Sequence, residues 1–253
     1  EILSVMTWER RDFLARNYSV DRVIIAGDAA HECSPTGGLG MHTGIEEALN
    51  LGWKLSAMIQ GWGGPSLLAS YEAERRPIAL RNVSLATRSY HSIEQIPGYS
   101  ENDPDWEKNL RENLDRFIVT EHLRMQYCYE NSPICISDGT PPVPVSHLQY
   151  TSSARPGTRA PHMWIEENRS IIDLFGQGFT LLRLGPDAPE ANELTLCAKS
   201  KGVPISVFHI PDKSAEELYE SRICLVRPDG HVAFRSQNKP LEPEKIIDCV
   251  RGA

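Results

Sequence analysis

The sequence lacks several patterns that would assign a function at once. It contains no Gly-x-Gly-x-x-Gly turn, so no dinucleotide-binding fingerprint lies within its 253 residues. None of the six cysteines forms a Cys-x-x-Cys pair, which argues against both a zinc site and a dithiol redox centre. The eight histidines show no i, i+4 spacing. We therefore expect no metal ion.

The chain is also poor in features that direct a protein to nucleic acid or to a membrane. Its net charge is −8, and Lys and Arg form no block. No apolar run approaches the roughly 18 residues of a membrane span. A hydrophobic fraction of 40% and a charged fraction of 24% are typical of a soluble globular protein. We expect a cytoplasmic protein with reduced thiols that binds neither nucleic acid nor membrane.

What the sequence does contain is a glycine-rich loop between a predicted strand and a predicted helix. Five of the eighteen residues 27–44 are glycine, where average usage predicts about one. The apolar run 22–26, typical of a buried parallel strand, precedes the loop, and the helical run 45–60 follows it. The acid Asp28 can accept a hydrogen bond from a hydroxyl, and glycines let backbone N–H groups approach a ligand. The pattern indicates a site for a phosphate-bearing or anionic cofactor.

The loop resembles the second flavin-contacting motif of the FAD-dependent aromatic hydroxylases. The matching residues are Gly27-Asp28-Ala29-Ala30-His31, Pro35, Gly37-Gly38-Leu39-Gly40 and Ala48-x-Asn50-Leu51-x-Trp53-Lys54-Leu55. These enzymes are single-component flavoprotein monooxygenases and include phenol, hydroxyphenylpropionate and polyketide hydroxylases. The resemblance continues at 70–77, 155–162 and 225–233, and it covers most of the chain.

The resemblance implies FAD as cofactor, NAD(P)H as reducing co-substrate, and O2 and an aromatic small molecule as the other reactants. The implied cofactor-binding residues are Gly27, Asp28, Pro35, Gly38, Leu39, Gly40, Met41 and His42. Asp28 would accept a hydrogen bond from the ribityl chain, and the start of the following helix would face the N1–C2=O edge of the flavin. The chain departs from the family at His42, where Asn is usual, and at Glu47, where Asp is usual. No catalytic residue is identified.

Each of these features also has an ordinary structural interpretation. Asp28 could serve only as a strand-end cap, and residues 37–42 could form a plain helix-entry loop. The glycine density favours a ligand in both cases. Pro35, whose carbonyl faces the reacting edge of the flavin in the family, could equally stiffen the loop. Glu74, Arg75 and Arg76 are expected to form a helix-surface or interdomain set of salt bridges.

The resemblance also predicts the domain organisation. The family opens with a βαβ unit that binds the ADP half of FAD, whereas this chain contains no such unit and starts at Glu1. We therefore expect the C-terminal portion of a larger enzyme, without the N-terminal FAD- and NAD(P)H-binding portion. The predicted fold is α/β, with a truncated Rossmann-like, hydroxylase-type FAD-binding portion followed by a thioredoxin-like domain. The expected boundaries are 1–135 for the first domain, 136–154 for a linker and 155–253 for the second.

Local patterns predict the individual elements. Six residues recur on one face with helical spacing, as in a helix that buries one face: Ile45, Ala48, Leu49, Gly52, Leu55 and Ile59. Thr43 and Glu46 form a candidate capping box for this helix, and a second helix runs from about Ser66 towards Ser92. The C-terminal strands are predicted at 179–184, 203–210, 223–226 and 231–235, and the helices at 188–200, 214–220 and 242–250.

One alternative of a different class stays open. The chain could be a non-catalytic fragment whose thioredoxin-like domain serves assembly or oligomerisation, with a homodimer as one outcome. A thiol oxidoreductase is disfavoured, because the cysteines are unpaired and Cys224 is expected to be buried in a strand with a raised pKa. We expect residues 155–253 to fold on their own.

Overall fold

The structure is a computed structural model that describes most of the chain in two compact units. The described residues are 3–7, 9–94, 105–108, 110–111, 124–144 and 150–253. The first unit comprises Glu1–Ala48 and Arg75–Thr120, and the second comprises Leu49–Glu74 and Glu121–Ala253. Residues 145–149 of the predicted linker lie outside the described residues. The predicted domain boundaries stay a prediction.

The first unit begins with short antiparallel strands instead of a long parallel one. Strand β1 (Phe13–Leu14) pairs with β4 (His31–Glu32), and β2 (Ser19–Val20) pairs with β3 (Val23–Ile24). The expected buried parallel strand at 22–26 is therefore wrong. Asp21 adopts a positive φ of 51°, which turns the chain back on itself as a hairpin, and Val23 is 67% exposed.

Helix α1 spans Leu39–Ile59 and therefore begins earlier than the predicted run 45–60. Gly37 and Gly38, with φ of 83° and 60°, lead the chain into its first turn. Thr43 lies inside the helix, where its hydroxyl donates to the Leu39 carbonyl at 2.7 Å. The predicted capping box at Thr43 and Glu46 is therefore wrong.

The apolar face of α1 exists, but it is exposed instead of buried. Ile45 is 60% exposed, Ile59 is 86% exposed, and Leu49 and Leu55 on the same face are also exposed. The opposite face is buried although it carries Glu47 and Lys54, each 0% exposed. Helix α2 (Ala69–Glu94) agrees with the predicted second helix and contains Pro77. Among the described residues, no helix combines the length and apolarity needed to cross a membrane.

The second unit is built on a four-stranded mixed sheet. Its strand order is β10 (Val232–Ser236), β9 (Ile223–Val226), β7 (Phe179–Leu184) and β8 (Ile205–Ile210). β7 is parallel to β8, and the other two pairs are antiparallel. The accompanying helices are α3 (Asn192–Ser200), α4 (Lys213–Tyr219) and α5 (Pro243–Arg251). A small hairpin of β5 (Trp164–Glu166) and β6 (Arg169–Ser170) precedes the sheet.

The predicted C-terminal elements are confirmed in kind and order. The largest difference is at the start of α3, which begins at Asn192 instead of residue 188. Arg183 donates to the carbonyl oxygens of Ala188 and Pro189 at 3.1 and 3.0 Å, and these bonds hold both residues outside the helix. The likeness to thioredoxin stays a prediction.

Hydrophobic side chains cover both faces of this sheet. Phe179 and Leu181 of β7 point into one cluster, whereas Leu182 and Leu184 belong to another. The first cluster also contains Trp53, Ala57, Trp62 and Leu67. Segment 49–74 is therefore part of the core of the second unit.

Candidate functional site

The Gly-Asp turn is a short 3-10 segment, Gly27–Ala29, between β3 and β4. Gly27 has a φ of 59°, a conformation that residues with a side chain rarely adopt. Ala30 donates its N–H to the Gly27 carbonyl at 2.8 Å and accepts from the Ala15 N–H at 2.7 Å. Asp28 is exposed. The turn thus presents a carboxylate to solvent on a hydrogen-bonded backbone.

Helix α1 contacts this turn directly. The Oε2 atom of Glu47 accepts a hydrogen bond from the Gly27 N–H at 2.7 Å and lies 3.2 Å from His31 Nε2. A Cβ atom added at Gly44 would lie 3.3 Å from the Gly27 Cα. Sequence reasoning identified Glu47 only as a departure from the family pattern and assigned it no role.

The loop between the turn and α1 is held by hydrogen bonds. Gly38 donates its N–H to the Pro35 carbonyl at 3.0 Å, and the Thr36 hydroxyl donates to the Ala86 carbonyl at 2.8 Å. Pro35 and Gly38 themselves are exposed. Both are therefore open to solvent, and their contact with a cofactor stays a prediction.

The first turn of α1 offers backbone donors more than side chains. Leu39 is 2% exposed, so only its backbone could meet a ligand. Gly40 packs on Cys33, because an added Cβ would lie 3.3 Å from the sulfur. Met41 is 70% exposed, and His42 Nδ1 lies 2.8 Å from the Gly38 carbonyl oxygen. The turn contains no acidic residue, so the positive end of the helix dipole is not neutralised from within the turn.

The one thiol near this loop is not set up as a nucleophile. Burial, together with the carboxylates of Asp12 and Asp28, raises the pKa of Cys33, so the thiol stays protonated at neutral pH. Within the described part of the chain, no group of three or more His, Cys, Asp or Glu side chains could hold a metal ion. The site consists of one exposed carboxylate and a set of backbone N–H groups.

Polar side chains support α1 from the side of α2. The Asn82 amide donates to the Thr43 hydroxyl at 2.8 Å, and Arg75 Nη2 lies 2.9 Å from Glu46 Oε2. Arg75 is fully buried, so the expectation of a helix-surface position is wrong for it. An arginine can take this position because its charge has a carboxylate partner.

Glu74 is likewise buried, and it belongs with its partners to the second unit. Both of its oxygens accept from Arg227, at 2.6 and 2.9 Å, and Lys54 Nζ lies 2.7 Å from Oε2. Asp229 accepts from the same guanidinium, with Arg227 Nε at 3.0 Å from Oδ1, and from the Trp53 indole N–H at 3.1 Å. We call Glu74, Lys54, Arg227 and Asp229 the buried charge cluster.

Burial and opposite charges act against each other on the pKa values of this cluster. Burial alone would raise the pKa of Glu74, but Arg227 and Lys54 outweigh it and hold that pKa at about 2. Burial lowers the pKa of Lys54 to about 8 although Glu74 opposes the change. All four groups are charged at neutral pH and closed to solvent. The cluster stabilises structure and is not accessible to a ligand.

Two family models match the chain. Residues 1–86 match the FAD binding domain, and residues 153–251 match the model described as aromatic-ring hydroxylase, C-terminal. The first match includes the Gly-Asp turn and the start of α1. The second includes the four-stranded sheet.

Individual relatives agree with both matches. The chain is 34% identical over its whole length to the FAD-dependent monooxygenase apdD of Emericella nidulans and covers 44% of that protein. It is 31% identical over its whole length to the 4-methyl-5-nitrocatechol 5-monooxygenase of a Burkholderia species and covers 47% of it. Among solved structures, the rebeccamycin biosynthetic enzyme RebC with reduced flavin superposes on the whole chain with a TM-score of 0.88 and 37% identity, and the match covers 49% of RebC.

The chain thus spans a little under half the length of each of these relatives. Each of these relatives aligns with the whole chain and therefore with both matched segments. The predicted α/β, hydroxylase-type fold is confirmed. The chain therefore contains sequence of an FAD binding domain and of an aromatic-ring hydroxylase C-terminal domain, and over its whole length it is similar to FAD-dependent monooxygenases.

Proposed function

We propose that this chain is the C-terminal portion of a monooxygenase that uses FAD, NAD(P)H and O2 to hydroxylate an aromatic small molecule. The observation that carries the proposal is an exposed Asp28, followed along one hydrogen-bonded loop by the N-terminus of α1. RebC, crystallised with reduced flavin, and the nitrocatechol monooxygenase support the choice of cofactor and of substrate class.

The residues present fit FAD by their chemistry. A carboxylate that only accepts hydrogen bonds suits a sugar hydroxyl and would repel a phosphate. Backbone N–H groups at a helix N-terminus suit an anionic ring edge, and the absence of an acid in the first turn of α1 leaves them unopposed. The exposed Gly38 adds no side chain that would keep a flat ligand away from the backbone.

FAD, when bound, supplies the redox and oxygen chemistry of the reaction. The residues of this chain would bind and orient it. Asp28 would accept a hydrogen bond from a ribityl hydroxyl, and the N–H groups of residues 39–42 would donate to the N1–C2=O edge. The positive end of α1 would stabilise negative charge on the reduced ring system.

The exposed face of α1 supports the proposal that the chain is part of a larger enzyme. Large apolar side chains follow one another along this helix on the solvent side: Met41, Ile45, Leu49, Leu55 and Ile59. Exposed apolar stripes of this length are uncommon on the surfaces of monomeric soluble proteins. In the complete enzyme, residues from the rest of the protein would cover them.

The variant Asp28→Ala in the complete enzyme tests the proposed function. Loss of one charge-assisted hydrogen bond should weaken FAD binding by about 1.5–3 kcal/mol, roughly ten- to a hundred-fold in the dissociation constant. The control is Glu32→Ala, which removes an exposed carboxylate from the adjacent strand β4. An unchanged dissociation constant for Asp28→Ala would remove this residue from the cofactor site.

A further inference from the structure

Glu47 is a buried carboxylate whose hydrogen-bond partners lie in the Gly-Asp turn. Its side chain is 0% exposed. Oε2 accepts a hydrogen bond from the Gly27 N–H at 2.7 Å and lies 3.2 Å from His31 Nε2. With its proton on Nε2, His31 donates to the carboxylate. Oε1 is buried and has no hydrogen-bond partner among the described residues.

An acid at this position is unfavourable for the stability of the fold. Burying a carboxylate is unfavourable unless hydrogen bonds compensate it, and here one of its two oxygens receives none from the described protein atoms. An apolar side chain could fill the same space without that cost. What an acid adds is an acceptor for the N–H of Gly27, the residue that precedes the ligand-binding candidate Asp28.

The packing around Gly44 gives independent evidence for a close junction. A Cβ at Gly44 would approach the Gly27 Cα to 3.3 Å, which is tighter than an ordinary contact of a Cβ atom. At Gly52, on the same helix, an added Cβ would meet nothing within 4 Å. The backbones of the turn and of α1 are therefore in direct contact at Gly27.

We propose that Glu47 is a positioning residue of the cofactor site. It accepts hydrogen bonds from the Gly27 N–H and from His31 and so fixes the Gly27–Ala29 turn to α1. Asp28 and the N-terminus of the helix can then contact the same bound flavin. This inference rests on the proposed function, and the experiment below separates the two.

The primary test compares Glu47→Ala with Glu47→Gln in the complete flavoenzyme. The Ala variant removes the acceptor for both partners and should weaken FAD binding at least about tenfold. The Gln variant keeps a carbonyl oxygen at the Oε2 position and should stay within about threefold of the wild type. The measured quantities are the FAD dissociation constant, from flavin fluorescence, and the thermal midpoint of the apoprotein.

Glu46→Gln is the matched control, because Glu46 lies beside Glu47 in α1 and pairs with Arg75, away from the turn. It should leave FAD affinity unchanged. An Ala variant at Glu47 that binds FAD like the wild type would overturn the inference. So would a Gln variant as weak as the Ala variant, because the hydrogen bonds would then not be the cause.

A second pair of variants tests the junction without touching Glu47, in case Glu47→Ala does not fold. Gly44→Ala should displace the turn and weaken FAD binding, whereas Gly52→Ala should not. Equal FAD affinity of these two variants would count against the inference. Asp28→Ala is measured in parallel. No effect there would remove Asp28 from the cofactor site and with it the observation that carries the proposed function. An effect there combined with none at Glu47 and Gly44 contradicts only the positioning role.

Discussion

The guanidinium of Arg227 donates to both carboxylate oxygens of Glu74, at 2.6 and 2.9 Å, and neither side chain is exposed. Glu74 lies in α2, within the segment that matches the FAD binding domain, whereas Arg227 follows β9 in the segment that matches the hydroxylase C-terminal model. A bidentate buried pair thus joins the two matched segments inside one compact unit.

Removing one partner of this pair should destabilise the chain strongly. Glu74→Ala leaves Arg227 and Lys54 buried with only Asp229 as a nearby acid, and uncompensated buried charge typically costs about 3–5 kcal/mol. The free energy of unfolding, from urea denaturation, measures the loss. Glu193→Ala, which breaks the exposed pair with Lys239, is the control and should cost about 1 kcal/mol or less. Equal costs for the two variants would contradict the importance of the buried pair.

The same pair predicts how stability depends on pH. The pKa of Glu74 is about 2 in the folded chain, against an ordinary value of 4.5. Because the folded-state value is the lower one, its stabilisation is fully present above about pH 4.5 and is lost as the pH falls towards 2. The difference corresponds to about 3 kcal/mol. The free energy of unfolding should therefore fall between pH 5 and pH 3 in the wild type, and less steeply in Glu74→Gln. Identical slopes would contradict the prediction.

The packing of residues 49–74 in the core of the second unit leads us to predict that residues 155–253 do not fold on their own. In the chain, Trp53 and Trp62 stack at 6.2 Å between ring centroids, and both contact Phe179 edge-on. The fragment would lose these rings from its core, and Arg227 would lose Glu74. We expect no cooperative urea transition by circular dichroism for the fragment under conditions in which the whole chain shows one. A cooperative transition of the fragment would restore the expectation from sequence.

The chain by itself should not retain FAD. Its sequence contains no Gly-x-Gly-x-x-Gly turn, so the adenine and pyrophosphate of the cofactor would lack their usual partners even if the Gly-Asp turn and α1 contact the flavin. Quenching of flavin fluorescence on titration measures the affinity. A submicromolar dissociation constant would show that the turn and the helix are sufficient.

Short sequence segments were enough to predict the glycine-rich loop and the secondary structure of the second unit. The glycine-rich run from Gly27 to Gly44 could be interpreted locally, because positive φ angles such as those at Gly27, Gly37 and Gly38 favour glycine. The strands and helices of the second unit were also predictable, since each is bounded by its own turn residues, such as Gly230 with a φ of 78° before β10. The family could be identified from these same segments.

Which face of α1 is buried was decided only by the tertiary structure. The spacing of Ile45, Leu49 and Ile59 shows that the helix has an apolar face, but spacing does not say what that face meets. Glu47 is buried because Gly27 and His31 donate to it, and Lys54 because it pairs with Glu74. Burial of a charge depends on a partner, and these partners lie 16 to 20 positions away along the chain. Periodicity within one helix carries no information about these partners. The sequence therefore determined that α1 is a helix with an apolar face, and the tertiary structure determined which face is buried.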